Sequence, residues 1–186
     1  LGVQTHGGMG YIEETGTCQH LRDSRITTIY EGTTGIQAAD LAGRKLSMDK
    51  GAAMRALIAE IEATIEELSR GAGDDLAVIR AGLAEGVQAL ADATDWMLNA
   101  PSAEHVMAVS VDYLMLTGFV CGGWQMARAA RVAQGKLRTG DDPLFHEAKL
   151  ITARFYVEHI LPKAGALRAS IKNGGISILA LPEEEF

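Results

Sequence analysis

From residue 50 onward, apolar residues recur at intervals of three and four positions, which is the spacing of one face of an α-helix. A first stripe is closed by the glycines within 71–73, and its members are Met54, Leu57, Ile58, Ile61, Ile65 and Leu68. A second stripe follows the acidic pair Asp74-Asp75, which suits an N-cap, and is closed by 99–101. Its members are Ile79, Leu83, Val87, Leu90, Thr94 and Met97. The spacing predicts two long amphipathic helices.

A third helix is predicted from about 103 to 136, with Ser102 as its N-cap and Gly135 closing it. This segment contains glycines whose missing side chains leave gaps where another helix could approach closely: Gly118, Gly122 and Gly123.

A fourth helix is predicted over about 142–161, with a break or kink imposed by Pro162. A short helix to about Lys172 and a glycine turn at 174–175 complete the chain. Helices of this length with short links bury their apolar stripes against one another. We therefore expect an all-α fold whose larger part is an antiparallel, four-helix-bundle-like region.

Composition and charge agree with a soluble helical protein. The chain has 186 residues, 47% of them hydrophobic and only 5% aromatic, with a net charge of −7. The acidic balance and the lack of a basic stripe argue against a nucleic acid partner. No apolar run is long enough for a membrane span. Cys18 and Cys121 lack metal or disulfide spacing and are expected to be reduced.

Residues 1–45 have a different character, because glycines and short polar segments interrupt any long period. The segment Gln4-Thr-His-Gly-Gly-Met-Gly10 could cradle phosphate oxygens through exposed N–H groups, but its spacing fits neither common nucleotide fingerprint. Taken alone, the three glycines of this segment indicate the end of a helix rather than a phosphate site. The segment Ile29-Tyr-Glu-Gly-Thr33 places Glu31 beside apolar residues. Two interpretations of Glu31 are open: a turn carboxylate in water, or a catalytic base whose pKa the apolar neighbours raise.

These two segments resemble the catalytic end of a known enzyme family. The run "QTHGGMGYIEETGTCQHLRDSRITTIYEGTTGIQAADLAGRKL", residues 4–46, is similar to the C-terminal catalytic segment of the FAD-dependent acyl-CoA dehydrogenases. Residues 47–186 resemble the additional C-terminal helical region of the branch that includes the 3-methylmercaptopropionyl-CoA dehydrogenases, through "GGWQMARAA", "KLITARFYVEHILP" and "ISILALPEEEF". The resemblance implies two parts, 1–46 from the catalytic helical domain and 47–186 as the added helical domain.

The resemblance implies that Glu31 removes the α-proton of an acyl-CoA thioester while the β-hydrogen leaves as hydride to FAD. The main-chain N–H of Glu31 would bind the thioester carbonyl, with Tyr30 and Gly32 lining the substrate site. The positions that match flavin-contacting residues are Gln4, Gly7, Gly8 and Thr33. For Tyr30, the alternative to lining the substrate site is packing of the turn. For Thr33, the alternative to a flavin contact is N-capping of the next helix. Gly35 stands where many members carry a polar side chain, so no role is assigned to it.

The implied partners are an acyl-CoA substrate, an electron-transfer flavoprotein as acceptor, and a second subunit in a homodimer or higher homo-oligomer. The implied location is cytoplasmic. Leu1 is not a start methionine, so we expect a piece of a longer enzyme that is inactive alone. Two alternatives stay open: an interaction or dimerisation module whose parent lacks dehydrogenase activity, and an acyl-CoA oxidase.

The remaining charged groups are predicted to be structural. Arg22, Asp23 and Arg25 are expected to form a local ion-pair network that supports the turn at 29–33. No metal site is expected, because convergent metal-ligand spacing is lacking among the histidines His6, His20, His105, His146 and His159.

Overall fold

The computed structural model describes residues 1–30, 32–71 and 73–185, and for Glu183 the backbone alone. These residues form helices and turns and contain no β-strand, which confirms the all-α prediction. The chain divides into two compact units, residues 1–37 and residues 38–186, called here the N-terminal unit and the helical unit.

The N-terminal unit consists of short elements with little interior. Its elements are α1 (Gly2–Thr5), 3₁₀ turns at Gly7–Tyr11 and Glu13–Thr15, α2 (Thr17–Ile26) and the start of α3 (Thr34–Ala39). Among its described residues only Gly10 and Cys18 are buried. The unit therefore has almost no core of its own.

The helical unit contains the long helices and the core. After α3 its elements are a π-helical segment at Asp40–Lys45, α4 (Leu46–Met48), α5 (Ala52–Ser69), α6 (Asp74–Leu98), α7 (Ala103–Ala108), α8 (Ser110–Thr139), α9 (Pro143–Phe155), a second π-helical segment at Tyr156–Ile160, α10 (Lys163–Ile178) and a 3₁₀ turn at Glu183–Glu185.

Helices α6 and α8 form the centre of the helical unit. Helix α6 packs against α5, α8 and α10, and α8 also packs against α9 and α10. Their inward faces carry fully buried side chains: Ile79, Leu83, Leu90, Leu116 and Val120. The stripes that the sequence predicts for α5 and α6 are the ones that line this core.

Hydrogen bonds between uncharged side chains join helices inside the bundle. The Thr94 hydroxyl on α6 and the Tyr113 hydroxyl on α8 lie 2.9 Å apart, and Thr94 also donates to the Leu90 carbonyl. The Trp124 indole N–H on α8 donates to Thr64 Oγ1 on α5 at 2.7 Å. Each bond satisfies polar atoms that burial would otherwise leave unpaired.

The predicted start of the second helix is wrong in detail. The N-cap of α6 is Gly73 at φ +126°, and Asp74 and Asp75 lie in the first turn. Carboxylates in a first turn still interact favourably with the helix dipole. Asp75 also accepts a hydrogen bond from Arg154 of α9 at 2.9 Å.

The predicted third helix is interrupted and longer than expected. A break at Val109 separates α7 from α8 and leaves that side chain 2% exposed beside Gly174 of α10. The Ser102 hydroxyl bonds the His105 ring instead of capping a backbone N–H. Gly135 lies inside α8, which ends at Thr139 because Gly140 adopts the left-handed conformation.

The C-terminal turn predicted at 174–175 is also wrong, because α10 continues through both glycines to Ile178. A Cβ at Gly175 would lie 3.2 Å from the His105 ring, so the glycine permits close approach of α7. The break predicted at Pro162 is confirmed, since this residue is the N-cap of α10.

Two of the three predicted helix-approach glycines do meet a neighbouring segment. A side chain at Gly122 would collide with Tyr156, and one at Gly123 would lie 3.0 Å from Leu161. Gly118 faces open space, so the prediction fails there.

Candidate functional site

The glycine-rich segment forms a helix end followed by a helical turn. Helix α1 has His6 as its C-cap, and Gly7 follows at φ +58° in the left-handed region. This is the geometry of a helix stop. Gln4 and Gly8 are exposed, as is Gly7.

The backbone at this turn is open. A Cβ added at Gly7 or Gly8 would meet no atom within 4 Å. The first N–H groups of a helical turn also lack partners within that turn. The main chain at Gly7 and Gly8 is therefore accessible to a ligand. By contrast, Gly10 is buried, and its Cβ would collide with the Val3 carbonyl.

The described residues of the second segment, Ile29, Tyr30, Gly32 and Thr33, lie between α2 and α3. Backbone N–H groups of Ile29 and Tyr30 both donate to the Ile26 carbonyl, at 3.0 and 3.2 Å. The Tyr30 side chain is 52% exposed, so its ring is available to a ligand.

Gly32 requires the absence of a side chain for two reasons. Its φ of +108° is unfavourable for other residues, and a Cβ there would lie 3.0 Å from the Ile36 side chain. Thr33 is exposed, and its carbonyl accepts the Gln37 N–H at 3.0 Å. A Cβ added at Gly35 would meet no atom within 4 Å. The predicted base, Glu31, lies outside the described residues.

The two segments belong to opposite ends of α2. Helix α1 and the Gly7–Tyr11 turn pack against α2, and the Cys18 thiol near its start donates to the Ile12 carbonyl at 3.4 Å. The second segment follows the other end, beyond Ile26. A ten-residue helix such as α2 is about 15 Å long. The first segment therefore precedes α2 and the second follows it.

The predicted ion-pair network takes another form. Arg22 lies 3.7 Å from Glu13 and donates to the Cys18 sulfur at 3.4 Å. Arg25 donates to the Thr28 hydroxyl at 2.5 Å, in the turn that leads to the second segment. In the part of the chain that the structure describes, neither arginine pairs with Asp23. No periodic pattern pointed to Glu13, because its contact with Arg22 depends on how the 3₁₀ turn folds back on α2.

Two titratable side chains of the helical unit, Tyr113 and Cys121, have pKa values that burial shifts. Burial raises the pKa of Tyr113 to about 12, against the opposing effect of its hydrogen bond with Thr94. Burial also raises the pKa of the Cys121 thiol, and both Cys18 and Cys121 are free.

The described ranges contain neither a candidate metal-binding cluster nor a helix suited to cross a membrane. No group of three or more His, Cys, Asp and Glu side chains there could hold a metal ion. None of the helices found there combines the length and the apolar character that crossing a membrane requires.

Two family models match the chain, one after the other. The model described as "Acyl-CoA dehydrogenase, C-terminal domain" matches residues 1–46. The model described as "Acetyl-CoA dehydrogenase C-terminal like" matches residues 57–182. The first match contains both segments described above, and the second contains most of the bundle.

Curated relatives support the same family. The chain is 44% identical to a 3-methylmercaptopropionyl-CoA dehydrogenase of Ruegeria pomeroyi, over 96% of this chain and 31% of the relative. It is 35% identical to a broad-specificity linear acyl-CoA dehydrogenase of Mycobacterium tuberculosis, over 99% of this chain and 32% of the relative.

A third relative matches a smaller share of the chain. The human mitochondrial short-chain specific acyl-CoA dehydrogenase is 52% identical over 44 residues, which is 24% of this chain and 11% of that enzyme. The chain spans about a third of the length of the two bacterial relatives. The chain therefore belongs to the acyl-CoA dehydrogenase family, whose C-terminal domain models match both parts of its sequence.

Proposed function

We propose that this chain is the C-terminal part of an FAD-dependent acyl-CoA dehydrogenase that converts an acyl-CoA thioester to a trans-2-enoyl-CoA. The observation that carries the proposal is the 44% identity to the Ruegeria enzyme over 96% of the chain. In this proposal residues 1–46 complete the catalytic helical domain and residues 47–186 form an added helical domain. An enzyme of this kind acts on a soluble substrate, and we place it in the cytoplasm.

Glu31 is proposed as the base that takes the α-proton of the thioester. General-base catalysis needs a carboxylate near the substrate carbon, in surroundings that raise its pKa toward neutrality. The flanking Ile29 and Tyr30 supply apolar surface for this purpose, and the Tyr30 ring is free to line an acyl pocket. Gly32, which has no side chain, lets the thioester approach the main chain, whose N–H would stabilise charge developing on the carbonyl oxygen.

FAD is the cofactor that we propose, and when bound it would accept the β-hydrogen as hydride. Gly7 and Gly8 would hold its phosphates through open main-chain N–H groups, Gln4 would donate or accept a side-chain hydrogen bond, and Thr33 would contact a flavin from the other segment. The resemblance to the family implies that Gln4 and Gly8 contact the flavin of a neighbouring subunit, so we propose that the two segments contact different flavins. Such sharing requires at least a homodimer, with Gln4 and Gly8 reaching the neighbouring subunit's cofactor.

The proposal is tested by Glu31→Gln in the full-length protein, with Glu14→Gln as a matched control in the same unit. Both purified variants should retain the flavin absorbance spectrum. We expect Glu31→Gln to slow anaerobic bleaching of the flavin by an acyl-CoA by roughly 10²- to 10⁴-fold, the usual contribution of a general base. The control, whose side chain is exposed, should bleach at the wild-type rate.

Rapid bleaching of the Glu31→Gln protein would refute the assignment of the base. A colourless wild-type protein, or a flavin that no acyl-CoA in a panel of chain lengths reduces, would refute the dehydrogenase function. In that event the alternative of an interaction or dimerisation module would remain.

The electron acceptor is proposed to be an electron-transfer flavoprotein. An acyl-CoA oxidase would use the same base and pass electrons to oxygen instead. Measuring oxygen consumption and hydrogen peroxide separates the two. A dehydrogenase should turn over only when an electron acceptor is supplied and should form almost no peroxide, whereas an oxidase should consume oxygen and form peroxide without an added acceptor.

A further inference from the structure

A cleft of about 460 Å³ lies between α8 and α9 in the helical unit. Sites for small molecules in proteins measure roughly 300–1,000 Å³, so the cleft is large enough for a ligand of that class. On the α8 side its lining includes the small side chains of Ala129 and Ala133, and Ala133 is buried. These small residues leave space beside α8.

The lining of this cleft is basic. Arg128 and Arg131 contribute from α8, and His146 and Lys149 contribute from α9. None of the described residues that line it is acidic, and Glu67, which pairs with Arg131, is not among them. The whole chain has a net charge of −7, so this concentration of basic side chains runs against its composition. A recess lined by one sign of charge attracts ligands of the other sign.

Two of these cations keep their charge available. Arg128 donates to the Gln125 amide oxygen at 3.2 Å, and its guanidinium lies 5.3 Å from the centroid of the Trp124 ring. Lys149 Nζ lies 5.0 Å from the centroid of the Phe145 ring. In the described part of the chain neither cation pairs with a carboxylate. Rings and amides hold a cation in place without cancelling its charge, so Arg128 and Lys149 can bind an anion.

An aromatic ring lies among these basic groups. Phe145 is 52% exposed, and the His146 ring meets it edge-on with the centroids 5.2 Å apart. Nucleobases stack on exposed aromatic rings, and charge-assisted hydrogen bonds from Arg and Lys bind phosphates. A simple inorganic anion uses the cations alone. A ring and several cations in one cleft therefore fit a nucleotide better than a simple anion.

We propose that the cleft between α8 and α9 binds a nucleotide that carries two or more phosphates. Arg128 and Lys149 contact the phosphates, and Phe145 stacks on the base. The residues proposed above for the acyl group and for FAD belong to the N-terminal unit, whereas this cleft belongs to the helical unit.

The nucleotide has two sources with the same chemistry. One is a free nucleoside di- or triphosphate. The other is the nucleotide end of an acyl-CoA, and that source rests on the dehydrogenase function proposed above.

Isothermal titration calorimetry of the full-length protein with ATP tests the site. Lys149→Gln removes a cation of the cleft. Lys163→Gln is the matched control, because Lys163 is an exposed lysine whose Nζ lies 5.5 Å from the centroid of the Phe119 ring, outside the cleft. We expect Lys149→Gln to raise the dissociation constant of ATP at least about 10-fold and the control to leave it unchanged. A wild-type protein that does not bind ATP, or an equal effect of the two substitutions, would overturn the proposal.

The role of the ring has a separate readout. Phe145→Leu keeps an apolar side chain and removes the aromatic face. We expect it to weaken ATP binding at least about 5-fold and to leave the binding of inorganic tripolyphosphate, which has no base, unchanged. Equal affinity of the variant and the wild type for ATP would refute a nucleotide site.

Steady-state kinetics identify the source of the nucleotide. If it is the end of an acyl-CoA, Lys149→Gln should raise the KM for acyl-CoA at least about 5-fold at unchanged kcat, while an acyl-pantetheine thioester, which lacks the nucleotide, should react equally with both proteins. If it is a free nucleotide, the KM should not change although ATP binding weakens. A protein without dehydrogenase activity would refute the proposed function, and the ATP titration would still decide the site.

Discussion

Gly82 of α6 lies where the chain after α9 crosses it. A Cβ at this position would lie 2.9 Å from Val157 Cβ and 3.4 Å from its carbonyl oxygen. Gly82→Ala should therefore destabilise the protein by about 1–3 kcal/mol through overpacking. Chemical denaturation followed by circular dichroism measures the change.

Gly118 on α8 is the matched control, because an added Cβ there meets nothing within 4 Å. Gly118→Ala should stabilise the protein by about 0.5–1 kcal/mol, since alanine restricts the unfolded chain and favours the helix. Loss of stability in both variants would contradict the contact with Val157.

Tyr113 predicts a dependence of stability on alkaline pH. Its pKa is about 12 in the folded protein and about 10 when unfolded, so the folded state holds the phenol proton more tightly. The resulting stabilisation is complete below about pH 10 and is lost as the pH rises toward 12. A difference of two units amounts to about 3 kcal/mol at most.

Urea denaturation at pH 8, 10 and 11.5 checks this dependence. Tyr113→Phe removes the titrating group, so its stability should fall less between pH 10 and 11.5 than that of the wild type. At pH 8 the variant should lose about 1 kcal/mol, for the hydrogen bond to Thr94. Parallel pH curves for the two proteins would refute the role of Tyr113.

At the scale of elements, the packing of α5 on α8 includes one polar link. The Trp124 indole donates to Thr64 Oγ1, which itself donates to the Glu60 carbonyl. Thr64→Val should therefore cost about 1–2 kcal/mol, because the indole N–H loses its partner.

A double-mutant cycle with Trp124→Phe separates this bond from packing. The two substitutions share one hydrogen bond, so the double variant should be about 1 kcal/mol more stable than the sum of the single effects predicts. Strict additivity, measured by thermal or urea denaturation, would exclude the coupling.

The sequence predicted helices better than helix ends. Stripes at three- and four-residue spacing located α5 and α6, because burial of one face fixes that pattern. The break at Val109 and the continuation of α10 through Gly174 and Gly175 were missed. Both depend on which helix packs alongside, since Val109 lies beside Gly174, and His105 lies beside Gly175. Single-chain periodicity carries no such information.

At the scale of the whole molecule, the two units differ in their interior. The described part of the N-terminal unit buries Gly10 and Cys18, whereas the helical unit buries the fully enclosed side chains of α6 and α8. Few buried contacts permit local opening at low free energy. Hydrogen exchange of the 186-residue chain should show amides of residues 1–37 exchanging at least about 100-fold faster than those around Leu83 and Leu90. Equal protection in both units would contradict this difference.

The candidate site could be predicted as sequence segments but not as an arrangement. The glycines and Thr33 were predicted from two linked motifs. The positive φ angles of Gly7 and Gly32 explain why glycine occupies both positions. That α2 holds the segments at its opposite ends follows from how the 3₁₀ turns fold back on that helix. Contacts of this kind join residues that are not spaced periodically, so sequence periodicity cannot predict them.

By itself the sequence determined that the chain is helical, where most of its apolar stripes lie, and which family it belongs to. The helices and stripes follow from local periodicity, and the family follows from two linked motifs. Only the tertiary structure decided where helices break, which glycines accommodate a neighbour, and which apolar stripe stays outside. Leu144, Ile151 and Phe155 of α9 are spaced like members of a core stripe, yet they are exposed. Burial depends on where all the other helices lie, so only the tertiary structure distinguishes the two cases.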